Sequence, residues 1–84
     1  MAWSVLWSAK SKRQLEKLDP KTADRIIDSV EGIKEDPFAA VGRMAGSRLF
    51  RLRVGDYRVI LDLRQGKLVI FVVEAGNRKR IYKQ

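Results

Sequence analysis

Residues 47–84 read SRLFRLRVGDYRVILDLRQGKLVIFVVEAGNRKRIYKQ, and this stretch decides the fold. Its side chains alternate with the two-residue period of a β-strand. In the run Leu49 to Val54, the residues Phe50, Leu52 and Val54 share a face. Gly55-Asp56 is a two-residue hairpin turn. Tyr57, Val59, Leu61 and Leu63 then alternate with Arg58, Ile60, Asp62 and Arg64. Gln65-Gly66 reads as a second two-residue turn, and Lys67 to Glu74 as a third strand. From Leu68 to Val73 that strand is apolar on both faces, which places it inside a sheet rather than at its edge. Gly76-Asn77 breaks it, and residues 78–84 form a short basic tail, either an edge strand or a helical turn.

Turn length fixes register. With two-residue loops Arg53 faces Arg58, Arg51 faces Ile60, Arg58 faces Val73 and Ile60 faces Phe71. One face then holds Arg51, Arg53, Arg58, Ile60, Phe71 and Val73. The other is apolar and awaits a helical layer. Like charges directly opposite one another destabilise a sheet on a scale of about 0.2–1 kcal/mol. Asp62 is the single acid on that face. Arginine stems can cover apolar neighbours while their heads reach water. Three arginines against one acid fit an anion site better, because the guanidinium fork matches phosphate.

Upstream, Trp3, Val5 and Trp7 alternate with Ser4, a half-buried strand whose tryptophans belong in the core. Ser8 caps a helix from Ala9 to about Leu18, with Lys10, Lys12, Arg13 and Lys17 outside. Asp19-Pro20 starts a second helix, Asp as cap and Pro in the first turn. Ala23, Ile26, Ile27, Val30 and Ile33 form its apolar stripe, and Lys34-Glu35-Asp36-Pro37 ends it. Residues 37–46 read as a mobile loop approaching the site. The fold class is therefore α+β: an N-terminal strand, a two-helix hairpin and a three-stranded antiparallel meander with a basic tail, one domain over 1–84.

The totals narrow the chemistry. There is no cysteine and no histidine among the 84 residues. That removes disulfides, thiol chemistry, the usual zinc sites and the commonest general base near neutral pH. No apolar run has the length of a signal peptide or a membrane span, which points to the cytoplasm and away from a membrane partner. Of the net charge of +8, residues 1–46 carry 8 basic and 7 acidic side chains, and residues 47–84 carry 10 and 3, so the second half alone holds +7. Such a one-signed field favours a polyanionic partner, nucleic acid, an acidic protein segment or an anionic membrane surface, with the first two preferred.

These residues resemble the RelE/ParE superfamily of toxins, in particular the RelE-like mRNA interferases. The likeness runs over nearly the whole chain: the strand WSVLWS, the Leu-x-x-Leu-Asp-Pro junction, the Lys-Glu-Asp-Pro helix end, LFRLRVGDYRVIL and the ending AGNRKRIYK. The Gly-Asp-Tyr-Arg turn followed by the Gly-x-Arg-x-x-x-Tyr ending is its specific part. The resemblance implies a ribosome-dependent endoribonuclease that cleaves mRNA in the A site. There the 2′-hydroxyl attacks the adjacent phosphate, with no metal or bound cofactor. It implies catalytic roles for Arg58, Arg78 and Tyr82, and RNA contacts from Arg51, Arg53, Lys79, Arg80 and Lys83. It also implies a small acidic RelB-like antitoxin, bound as a hetero-oligomer over the basic face and the apolar strip Ile60–Phe71. Asn77 stands where many relatives carry His. Arg51 and Arg53 replace lysines of some members, and arginine cannot shuttle a proton. Two other readings stay open: a ParE-like inhibitor of DNA gyrase, and a non-catalytic nucleic-acid or antitoxin-binding module.

Overall fold

The computed structural model describes residues 2–77. The order is β1 (Ser4–Trp7), α1 (Ala9–Glu16), α2 (Pro20–Glu31), α3 (Pro37–Ala40), β2 (Gly42–Arg43), β3 (Phe50–Val54), β4 (Tyr57–Arg64) and β5 (Val69–Asn77). The strands form one five-stranded sheet in the order β1-β5-β4-β3-β2. The meander of β3, β4 and β5 is antiparallel, while β1 joins β5 in parallel. β5, the strand apolar on both faces, is interior, flanked by β1 and β4.

Both long helices begin as the residue types dictate. Ser8 Oγ accepts the Ser11 amide at 3.0 Å, and Asp19 accepts the Thr22 amide at 3.3 Å with Pro20 next in line. α1 ends at Glu16, two residues before the expected Leu18. α2 ends at Glu31 with Gly32 as its C-cap, short of the Asp36-Pro37 stop. Pro37 instead opens the short helix α3, where its fixed φ is already suited to a first turn. The segment read as a loop over residues 37–46 thus contains a helical turn and an edge strand.

Ile26, Val30 and Ile33 of the helical layer meet Leu52, Val54, Val59, Leu61, Ile70, Val72 and Ala75 of the sheet. Trp3 is buried with them, and Val5, Trp7 and Tyr57 pack against the cluster, so both tryptophans are core residues.

The first hairpin has the expected register: Val54 pairs with Tyr57, Arg53 with Arg58 and Arg51 with Ile60. Gly55 turns it at φ +60°, a conformation open to glycine. The second connection departs from expectation. Residues Gln65–Lys67 make a 3-10 turn, closed by Leu68 at φ 53°. Pairing starts at Arg64 with Val69, and a bulge follows between Ile60 and Leu61. Leu61 pairs with Val72 but Ile60 pairs with Glu74, so Val73 is the inserted residue. Arg58 therefore faces Gly76 rather than Val73, and Phe71 faces Asp62 rather than Ile60. Gly76 and Asn77 do not break the strand; they are its last two paired residues.

The bulge also reverses which edge of β5 its backbone groups meet. Before it, Val72 O accepts the Ser8 amide at 3.0 Å. After it, Val73 O and Ala75 N–H turn to the side where β1 has already ended. Side chains of α1 complete them: Ser8 Oγ donates to Val73 O at 2.7 Å, and Gln14 Oε1 accepts from Ala75 N at 2.7 Å. Helix α1 thereby covers a strand edge that would otherwise stand open. Among the described residues no helix is long and apolar enough to cross a membrane.

Candidate anion-binding site

Pleating carries Arg51, Arg53, Arg58, Ile60, Asp62 and Arg64 to the sheet face away from the core cluster. The three arginines picked out by alternation are on one face, and their environments differ. Arg58 is 1% exposed. It stands between Arg53 on β3 and Gly76 on β5. Arg53 is exposed. Arg51 leans to the sheet edge, where its guanidinium donates to the Arg43 carbonyl at 2.9 Å. The Arg51 guanidinium rests against Gly42, where a Cβ would lie 3.3 Å from its central carbon.

Asp62 is occupied by arginines: Arg64 Nε approaches its carboxylate at 3.2 Å and Arg48 at 3.8 Å. Arg64 also lies over the Phe71 ring at 5.2 Å. The apolar strip expected from Ile60 to Phe71 does not exist as an exposed feature. Ile60 is 2% exposed, and the bulge sets Glu74, not Phe71, beside it. Among the described residues the exposed large apolar side chains are Leu6 and Phe38. Leu6 pairs with Phe71 at the sheet edge. Phe38 bridges Trp3 and Phe50 by edge-to-face contacts of 5.6 Å each.

Arg78, Lys79, Arg80, Tyr82 and Lys83 lie outside the described residues. Two basic residues absent from the sequence-based site border it: Arg64, which the same alternation places on the arginine face, and Arg43, which holds Arg51 through its backbone. Arg43 also stacks over Phe50 at 5.8 Å. The signal for Arg64 was the strand period itself; Arg43 gave none, because its short edge strand reads as loop. Among the described residues no group of three or more His, Cys, Asp or Glu could hold a metal ion.

Guanidinium groups gathered on one face are suited to a phosphodiester, because the planar fork matches phosphate oxygens. The family model described as ParE toxin of type II toxin-antitoxin system, parDE, matches residues 5–82. No curated protein matches the sequence significantly. Solved structures do match in fold. The toxin–antitoxin complex RelBE2 from Mycobacterium tuberculosis aligns with TM-score 0.83 at 17% identity, covering 93% of this chain and 100% of that one. The archaeal RelE–RelB complex from Pyrococcus horikoshii aligns with TM-score 0.80 at 24% identity, covering 95% and 99%. A mutant Escherichia coli RelE in the free state gives 0.80 at 19%, covering 99% and 93%. The chain is thus a member of the ParE toxin family, within the RelE/ParE superfamily of type II toxin–antitoxin toxins.

Proposed function

We propose that this toxin is an endoribonuclease that cuts mRNA on the ribosome and so inhibits translation. The observation that carries the reading is the row Arg53–Arg58. Two like charges sit directly opposite one another on the face away from the core, with Arg51 and Arg64 on the same face, an arrangement of guanidinium groups suited to a phosphate backbone. The fold shared with the RelE structures supports it.

In the proposed reaction the 2′-oxygen forms a bond to the adjacent phosphorus and the bond to the 5′-oxygen breaks. The products are a 2′,3′-cyclic phosphate and a 5′-hydroxyl. Arg58 and Arg78 stabilise the extra negative charge of the phosphorane; losing one such donor commonly costs ~10²–10³ in rate. Tyr82 takes the 2′-hydroxyl proton or stacks on a base, and water supplies the proton that turns the leaving 5′-oxygen into the 5′-hydroxyl. Its ordinary pKa of about 10 must fall for the first role. Arg51, Arg53, Lys79, Arg80 and Lys83 hold the RNA backbone. A small acidic antitoxin would hold the same face in the inactive complex.

The ParE family match favours a second reading, inhibition of DNA gyrase without nuclease chemistry. Purified protein added to programmed ribosomes separates the two. Cleavage at the A-site codon, lost in Arg78→Ala with the fold intact, supports the interferase. Intact mRNA together with inhibited gyrase supports the other reading, and full toxicity of Arg78→Ala removes the proposed site.

A further inference from the structure

The two long helices differ in charge. From Ala9 to Lys17 the chain carries Lys10, Lys12, Arg13 and Lys17 against Glu16 alone. Along α2, Lys21 and Arg25 are outnumbered by Asp24, Asp28 and Glu31. At 3.6 residues per turn, Lys10, Arg13 and Lys17 fall within an arc of about 60°, and Lys12 lies on the other side. Arg13 and Lys17 are exposed and have no ion pair among the described residues. Lys10 pairs with Glu74 at 3.4 Å while remaining 51% exposed, a surface pair that a phosphate can displace at little cost.

The stripe has a fixed relation to the sheet arginines. Ser8 bonds Val73, Lys10 meets Glu74 and Gln14 bonds Ala75, so α1 advances alongside the last turn of β5 in the direction of Gly76. Gly76 is the residue across from Arg58, and Arg58 is across from Arg53. The basic side of α1 thus lies along the end of β5, the strand that pairs with the Arg58 strand.

We propose that Lys10, Arg13 and Lys17 form a second phosphate-binding face that grips the backbone of a folded RNA, beside the strand held by the sheet arginines. This rests on the reading of the protein as an RNA-directed toxin. The chemistry favours RNA over a protein partner. Protein interfaces are built around an apolar centre, and this helix face has none: Leu15 packs against the core, while the exposed Leu6 and Phe38 lie on β1 and α3. A sugar-phosphate backbone asks only for cations at repeated spacing.

Binding of a short RNA hairpin, measured across a salt series, tests this. Each lost phosphate contact lowers the slope of log affinity against log salt by about 1. Arg13→Gln/Lys17→Gln should lower it by about 2, with the fold intact by circular dichroism, since both side chains are exposed. Lys12→Gln, on the far side of the helix, should change it by less than half of one contact. An unchanged slope in the double variant, while wild type binds the hairpin and cuts message, overturns the α1 face alone. Loss of affinity for an acidic peptide with no change toward RNA overturns it in favour of a protein partner. A wild-type protein that neither binds the hairpin nor cuts message overturns the RNA reading as a whole.

Discussion

Arg58 is the one buried charged side chain among the described residues, and its partner across the strand pair is another arginine. Like charges directly opposite one another repel, on a scale of about 0.2–1 kcal/mol for a cross-strand pair. The exposed member of the pair offers a clean test. Arg53→Thr removes the facing charge and keeps a residue that favours strands. Urea unfolding at low salt should show a gain of about 0.2–1 kcal/mol, and the gain should shrink as salt screens the pair. RNA affinity should fall in the same variant. A loss of stability instead would mean that Arg53 packs more than it repels. A second residue-scale effect lies at the start of α2. The Thr22 hydroxyl and amide hold the Asp19 carboxyl below its ordinary 3.8. A lowered folded value adds stability that is complete above the unfolded value and is lost as pH falls through the folded one. Asp19→Asn still caps the helix but cannot titrate. Its stability should therefore fall less steeply than wild type between roughly pH 5 and roughly pH 2, as followed by circular dichroism.

At the scale of elements, the helix starts and the first hairpin were legible because single residues decide them. Ser8 and Asp19 are caps, and Gly55 supplies the positive φ that a two-residue turn requires. The second hairpin was not legible. Leu68 takes a left-handed conformation that no residue type announces, and the bulge at Val73 falls in a run apolar on both faces, where one inserted residue leaves the alternation apparently intact. The arginine face survived this error since the β3–β4 register does not depend on it. The β5 neighbour of Arg58 did not, nor did the strip from Ile60 to Phe71. The compensation for the bulge was equally hidden, as it comes from α1 residues 61 and 65 positions away in the chain. Those contacts give the element its own test. Gln14→Leu leaves the buried amide of Ala75 without its acceptor, which should cost about 1–3 kcal/mol. Amide exchange at Ala75 should accelerate more than exchange in β3, and Gln14→Glu, which keeps an acceptor oxygen, should restore much of the protection. Equal acceleration throughout the sheet would show that α1 does not guard this edge in particular.

For the whole molecule, the decisive quantity is charge. The net +8 is concentrated in the second half of the chain, and the sheet joins those strands into one body with a basic α1 beside them. Ion pairs relieve little of it. Among the described residues Asp62 serves Arg64 and Arg48, Glu74 serves Lys10, and the remaining pair joins Lys34 to Glu31 within one turn. A compact state with so one-sided a field repels itself, and the unfolded chain relieves that repulsion by expanding. Added salt screens charges beyond a Debye length, which shrinks from about 30 Å at 0.01 M to about 8 Å at 0.15 M. The melting temperature should therefore rise with monovalent salt over that range, whereas a protein stabilised mainly by surface ion pairs would show the reverse. Neutralising Arg13, Lys17 and Arg53 together should flatten the dependence, because each removes a cation without breaking an ion pair among the described residues. A polyanion should act in the same direction as salt at far lower concentration, by binding the folded state alone. A melting temperature indifferent to salt would mean that the arginine row and the α1 stripe are too far apart to act as one field.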